Sequence, residues 1–494
     1  MQRPRYAPLL CALGAALSSG HAHAQANYDA VILGGRTAMM GGAATAKGSD
    51  GATVFLNPAG LIRIPGQSFA FSTVALQATS RSVQGNMDPS DLLQKQGGPT
   101  HELNFNVLPN TFCLFLDGPP KDDYSGRSRH KYGVCFANTE TQAFTFADNQ
   151  QGRPVVEFGP NAQLGAASQM TFQRSSLAFA WGFELFSDTY IGVNARVDSS
   201  RLYDQTNVTA YCASAGCPDS GLGSDIRAMQ HARFGTSWDS AITVGITHEA
   251  SDVVTFGASL ATPSLHILGN YVGMDSFIPA GDGPRSFVQD KGDFRYNQPA
   301  TLRLGLAFSW PTLIFEVNGN FYGAQDVLAA AQFDRTITTV DGEHVYQPNT
   351  SPGSIIERSR PVVNLAAGVE AFLEPDFSII GGLQTDFSGL LPREEHVAAE
   401  DVLFRQRLSA LHASIGAVSY GSAGSLLLGL RGFYGVGELL VPNVGGTSGT
   451  FSSAHQSQWG LSFVVSGQIS FQAVRDIGAR AAAPLFETEG EATP

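Results

Sequence analysis

Residues 175–202 read SSLAFAWGFELFSDTYIGVNARVDSSRL, two runs joined by the pair Ser187-Asp188. In the first run Leu177, Phe179, Trp181, Phe183 and Leu185 share one face, while Ala178, Ala180, Gly182 and Glu184 share the other. A period of two belongs to a strand, because successive side chains point to opposite faces. The same pattern returns along the chain. In TLIFEVNGNFYG (312–323), Leu313, Phe315, Val317 and Phe321 oppose Glu316, Asn318, Asn320 and Tyr322. In SLLLGLRGFYG (425–435), Leu426, Leu428, Leu430 and Tyr434 oppose Gly429, Arg431 and Phe433.

Read this way, the sequence predicts fourteen strands, near 68–79, 105–117, 130–141, 171–186, 189–202, 235–248, 252–268, 299–309, 312–324, 360–373, 376–388, 407–420, 424–436 and 457–471. Most exceed the ~9–11 residues that a tilted strand needs to cross a bilayer. The links sort by parity. Ser187-Asp188, Glu249-Ala250-Ser251, Trp310-Pro311, Glu374-Pro375 and Gly421-Ser422-Ala423 are short, whereas 203–234, 269–298 and 325–359 are long. Short periplasmic turns and long extracellular loops give this alternation in an antiparallel transmembrane β-barrel. A soluble sandwich has no reason to sort its loops.

Composition agrees. Only 15% of the 494 residues are charged while 55 are glycine, and no apolar run is long enough for a membrane helix. Residues 1–24 read as an export signal: Arg3 and Arg5, an apolar stretch from Ala7 to Leu17, then Ala22-His23-Ala24 before a mature start near Gln25. Removing those two arginines takes the formal charge of −13 to −15, which disfavours nucleic acid as a partner. A barrel in the bacterial outer membrane is expected, with residues 68–471 forming the wall and the acidic tail 472–494 disordered.

Residues 25–67 then have no place in the wall. Within them GGAATAKGSDGATVFLNPAGL (41–61) is rich in glycine and weakly charged. About eight strands already fill their lumen with side chains, so fourteen leave room for a compact plug. This stretch resembles the N-terminal hatch of the FadL-type outer-membrane transporters of long-chain fatty acids and hydrophobic compounds. Gly41-Gly42-Ala43, Asp50, Val54-Phe55 and above all Asn57-Pro58-Ala59 carry the likeness in order. The resemblance implies a fourteen-stranded barrel, a hatch in its lumen gated at Asn57, Pro58 and Ala59, and an apolar landing groove on the third and fourth extracellular loops. Passive transport with lateral exit into the bilayer is expected, because a hydrophobic molecule that left the membrane for water would forfeit about 0.8 kcal/mol per methylene and no coupling segment is visible. Taken alone, Asn-Pro is also an ordinary turn initiator.

By order those loops are 203–234 and 269–298, and the second carries Tyr271, Val272, Met274, Phe277 and Ile278. They are candidates for the groove, or else pack on the rim. If the apolar stripe faces lipid, Glu184, Arg196, Asp198, Arg303, Glu316, Glu370, Asp386 and Arg431 face the channel, as solvated wall or as a network holding the plug. Cys113 and Cys135 on adjacent strands, and Cys212 and Cys217 across a short bend, suit structural disulfides or free thiols better than a metal. No nucleophile, metalloprotease or phosphate-loop motif occurs, so neither an enzyme nor a cofactor is expected. The expected function is passive transport of a fatty-acid-like hydrophobic molecule by a monomer in contact with outer-membrane lipid. A receptor or adhesin barrel without transport is the alternative.

Overall fold

The computed structural model describes residues 27–474 apart from 30, 32, 85–99, 106–109, 120–128, 156–158, 213–225, 279–283, 342–343, 393–395, 399–401 and 444–449. The bend between Cys212 and Cys217, and the acidic tail beyond residue 474, lie outside the described residues.

The wall is a closed antiparallel barrel of fourteen strands. Its first strand is Ser68–Gln84, its second is split into Thr100–Phe105 and Thr111–Asp117, and the third to sixth are His130–Val155, Gly159–Phe186, Thr189–Cys212 and Ile226–Glu249. The next four are each split in two: Val254–Ala261 with Leu265–Ile278, Arg285–Tyr296 with Thr301–Trp310, Leu313–Tyr322 with Gln325–Asp341, and Asn349–Ser359 with Val362–Glu374. Phe377–Asp386, Gln406–Gly421, Gly424–Asn443 and Thr450–Ser470 complete the order. The last strand returns to the first along the register Ser68↔Ser470 to Gln84↔His455, and Phe471 packs edge-on against Phe69 at 4.5 Å. Pairing the last strand with the first closes the sheet on itself, as a lipid environment demands.

The breaks in the seventh to tenth strands coincide with Pro263, Pro299, Gly323 and Pro361. A proline cannot donate to the ladder, so it marks a bulge or break in a strand. The breaks lie side by side, because Ser264 N bonds Gln298 O and Gly323 N bonds Ala300 O across them. Register changes there as well: Thr301 pairs with Tyr322 below the breaks, while Arg285 pairs with Val340 above.

Side chains sort by face in the lower half of the wall. Phe179, Ile242, Phe256, Leu260, Leu365, Leu383, Ile415 and Leu426 are exposed, and they belong to strands all round the barrel. A band of outward apolar residues is the lipid-facing surface of such a barrel. The upper half corrects the expectation of long loops. Residues 203–212, 226–234, 269–278, 285–296, 325–341 and 349–359 all continue the strands. The ladder runs on here, but polar and apolar residues mix on each face, so the strict alternation that marks a strand in sequence is missing.

Candidate functional site

The interior holds three tiers. The lowest is the N-terminal segment, of which residues 34–64 are largely buried and bonded to strands around the wall. Asn57 caps the short 3-10 helix Pro58–Arg63, its Oδ1 accepting from Ala59 N at 3.2 Å, and Pro58 takes the first helical position where no N–H is needed. Its Nδ2 donates to Thr45 O at 2.7 Å, and to Ile246 O and Thr247 Oγ1, both at 3.2 Å. Elsewhere Glu316 accepts from Ala46 N (2.7 Å) and Lys47 N (3.0 Å), and Arg36 Nε meets Glu370 at 2.7 Å. Arg63 reaches Glu249 at 3.0 Å, Asn194 donates to Val54 O, and Ser414 to Met39 O. Burial pushes the Asp50 carboxyl up against the lowering effect of its bonds to Thr37, and burial together with nearby Arg63 pushes the Lys47 amine down.

Two wall glycines make the fit possible. A Cβ at Gly245 would overlap Asn57 Oδ1, and one at Gly192 would overlap the Pro58–Ala59 peptide. Only a residue without a side chain lets the two backbones approach so closely. Neither glycine stands out in the sequence, although both fall on the inward parity of their strands.

Above this segment lies a polar belt. Arg174 contacts Glu140 (3.4 Å) and Asp198 (3.8 Å), Arg196 contacts Asp198 (3.2 Å), and Tyr296 donates to both Glu140 oxygens at 2.9 and 2.8 Å. Asp29 accepts from Tyr322 and Asn364, each at 2.8 Å, while Arg431 donates to Asp29 O and Gln384. Burial and the neighbouring Asp386 push the Asp29 carboxyl up. Arg196, Asp198, Arg303, Glu316, Glu370, Asp386 and Arg431 are all buried on the inner face; Glu184 is half-buried beside the lower turn, away from this belt.

The top tier is apolar. Met170, Phe172, Tyr271, Phe294, Tyr296 and Phe333 cluster there, with Tyr271 stacked on Phe333 at 5.3 Å. Here the loop groove expected at Tyr271, Val272, Met274, Phe277 and Ile278 is corrected. All five lie on Leu265–Ile278, a strand paired on both sides, and alternation divides them between faces. Tyr271 is fully buried in the lumen, Met274 is exposed, and Val272, Phe277 and Ile278 are half-buried. They form no single surface. Leu403 and Phe404 also enter this tier, on a connection that turns inward ahead of Gln406. Their only sequence signal is a Val-Leu-Phe triplet directly after the acidic run 394–401, and sequence reasoning missed it.

One side of the wall is incompletely laddered. Thr111–Asp117 pairs with Lys131–Ala137, and Asn138 N donating to Asn110 O is the last rung among the described residues. Thr100–Phe105 pairs with the first strand, with no ladder to the third strand among the described residues. Just below this gap a disulfide joins Cys113 and Cys135, facing inward and fully buried against Gly51.

No protein-family model matches the chain, and no curated protein matches it. Solved structures do. A FadL homologue of Pseudomonas aeruginosa aligns with TM-score 0.57 at 13% identity over 91% of this chain and 100% of its own. The toluene transporter TodX of Pseudomonas putida aligns with TM-score 0.54 at 14% identity over 89% and 98%. The toluene transporter TbuX of Ralstonia pickettii aligns with TM-score 0.50 at 13% identity over 89% and 98%. The chain has the FadL-type fold. Among the described residues of this FadL-type barrel, no cluster of three or more His, Cys, Asp or Glu could hold a metal.

Proposed function

We propose that the chain carries hydrophobic compounds, such as long-chain fatty acids or small hydrocarbons, passively across a bacterial outer membrane. The observation that supports this best is the apolar tier in the lumen above the polar belt, which Leu403 and Phe404 of the inturned connection enter. A barrel for polar solutes gains nothing from burying aromatic rings in its lumen. A hydrophobic solute gains about 0.8 kcal/mol per methylene by staying out of water, so an apolar lining suits it. In this reading residues 25–67 are a hatch that blocks the straight path, Asn57-Pro58-Ala59 is where it loosens, and the gap between the second and third strands is a lateral exit into the bilayer. The arginines and carboxylates of the belt hold the hatch and the wall together. The similarity to TodX and TbuX, both toluene transporters, supports the substrate class.

The test is uptake of labelled oleate and of labelled toluene by cells lacking their own transporter. The cells would express the native chain or a variant with Asn57-Pro58-Ala59 replaced by Gly-Gly-Gly, at matched surface amounts. Uptake of either compound that exceeds vector-only cells and falls in the variant is the expected result. Uptake of neither by a folded native barrel would refute the reading.

A further inference from the structure

Residues 402–405 are unusual for a connection between strands. Loops run over the surface because their backbone groups need water. Here Val402, Leu403, Phe404 and Arg405 are at most 3% exposed, deep in the lumen. Side chains of the wall replace the water. Glu357 Oε1 accepts from Leu403 N at 2.9 Å and from Phe404 N at 3.1 Å, and Arg233 donates to Val402 O. Arg405 fastens the end of the segment, with Nη2 on Asp204 at 2.7 Å, Nη1 on Ser168 and Thr206, and its guanidinium 4.1 Å from the Phe451 ring centre. Each of these hydrogen-bonding groups can turn to water if the segment swings out.

The segment places a benzene ring in the apolar tier. Phe404 meets Phe172 edge-to-face at 5.3 Å and 90°, and Tyr296 at 6.0 Å and 75°, and those two rings lie 4.6 Å apart. Such geometry is selective for an aromatic partner, whose positive edge and negative face match their neighbours. The Tyr296 hydroxyl is committed to Glu140, so these neighbours offer the occupant ring surface rather than a donor for a carboxylate.

We propose that the Phe404 position is a binding site for a neutral one-ring aromatic hydrocarbon, which the protein fills with its own phenyl ring until the ligand displaces it. The inference rests on the hydrophobic-transport reading and narrows it to one substrate class and one site. Because the ligand must wait for the segment to leave, its apparent affinity is reduced by the open fraction. Residues 402–405 therefore act as an outer gate that competes with the substrate.

The experiment uses the full chain in detergent micelles, with toluene and oleate as probes. Trp181, Trp238, Trp310 and Trp459 are all exposed on the outside of the wall, so a Phe404→Trp variant adds one interior reporter whose signal is read after subtracting the native spectrum. Toluene should shift that emission to the red as the introduced indole is expelled. Phe404→Ala should bind toluene at least about tenfold more tightly than the native chain, the open state being at most about a tenth populated, with Phe404→Leu in between. The slower gel migration of unfolded barrels on heating checks that each variant is folded. Unchanged or weakened toluene affinity in both folded truncation variants would overturn the proposal while leaving the transport reading intact, provided the native chain still binds a probe. A response of the interior indole to oleate but not toluene would overturn the aromatic assignment. Binding of neither probe by the native chain would overturn both readings.

Discussion

Asn57→Ala is the sharpest test of how the lumenal segment is held. The native amide makes four hydrogen bonds at 2.7–3.2 Å, two within the segment (Thr45 O and Ala59 N) and two to the wall (Ile246 O and Thr247 Oγ1). Asn57 is 1% exposed, so water does not replace these partners without an opening of the structure. A neutral hydrogen bond contributes ~1 kcal/mol net, and a buried group left without its partner costs ~1–3 kcal/mol. Counting the 2.7 Å bond in full and the three longer ones at a fraction of that, the variant loses about 3 kcal/mol of docking free energy, roughly a hundredfold in the opening equilibrium. Hydrogen exchange followed by mass spectrometry reads that equilibrium locally. Peptides within 41–61 should lose about a hundredfold protection, while a wall peptide such as 426–436 should not change. Adding Thr247→Val to Asn57→Ala should cost less than Thr247→Val alone, because the shared bond is already gone. Protection of 41–61 that stays within about threefold of native, or that falls equally in the wall, would refute the assignment of Asn57 as the pin.

Other perturbations follow from the same geometry. Gly245→Ala should displace Asn57 from a barrel that still folds, seen as faster exchange in 41–61 and as ion conductance in planar bilayers. Glu316→Gln keeps one acceptor but loses its charge toward Ala46 N and Lys47 N, and should raise opening of the segment about tenfold by the same exchange readout. Cys113→Ser should lower stability to urea in lipid vesicles by about 3 kcal/mol, the loop-closure value for the 22-residue separation, and a reducing agent should have the same effect on the native chain alone.

The lower wall is legible in sequence for a physical reason. There each strand separates lipid from a packed interior, so apolar and polar residues must alternate, and Leu177 to Leu185 or Leu426 to Leu430 announce it. Above the breaks at Pro263, Pro299, Gly323 and Pro361 that requirement is gone, and strands such as Gln325–Asp341 read as loop although their ladders continue. Cys113 and Cys135 fall on adjacent strands in the region of clear alternation, and they form a disulfide. The site is less legible. The Asn57-Pro58-Ala59 turn is visible as a motif, but its receptors, Gly192 and Gly245, are defined by the absence of a side chain and stand out only once another backbone lies against them. Phe404 escapes notice because a short apolar triplet in a polar connection carries no period, and burial of such a triplet is decided by distant residues such as Glu357 and Asp204. The five residues from Tyr271 to Ile278 read as a loop for the same reason as the other upper strands.

The row of breaks has a consequence for how this molecule can change over time. Because register shifts at that level in the seventh to tenth strands, an insertion or slip above the breaks in those four strands is absorbed there and need not propagate to the rungs below. The lower rungs of those strands, where Glu316 and Glu370 meet the N-terminal segment, are thereby insulated from changes above, whereas Gly192 and Gly245 sit on strands that run unbroken through both halves. On that side of the barrel the upper wall can vary in length and register without disturbing the contacts below.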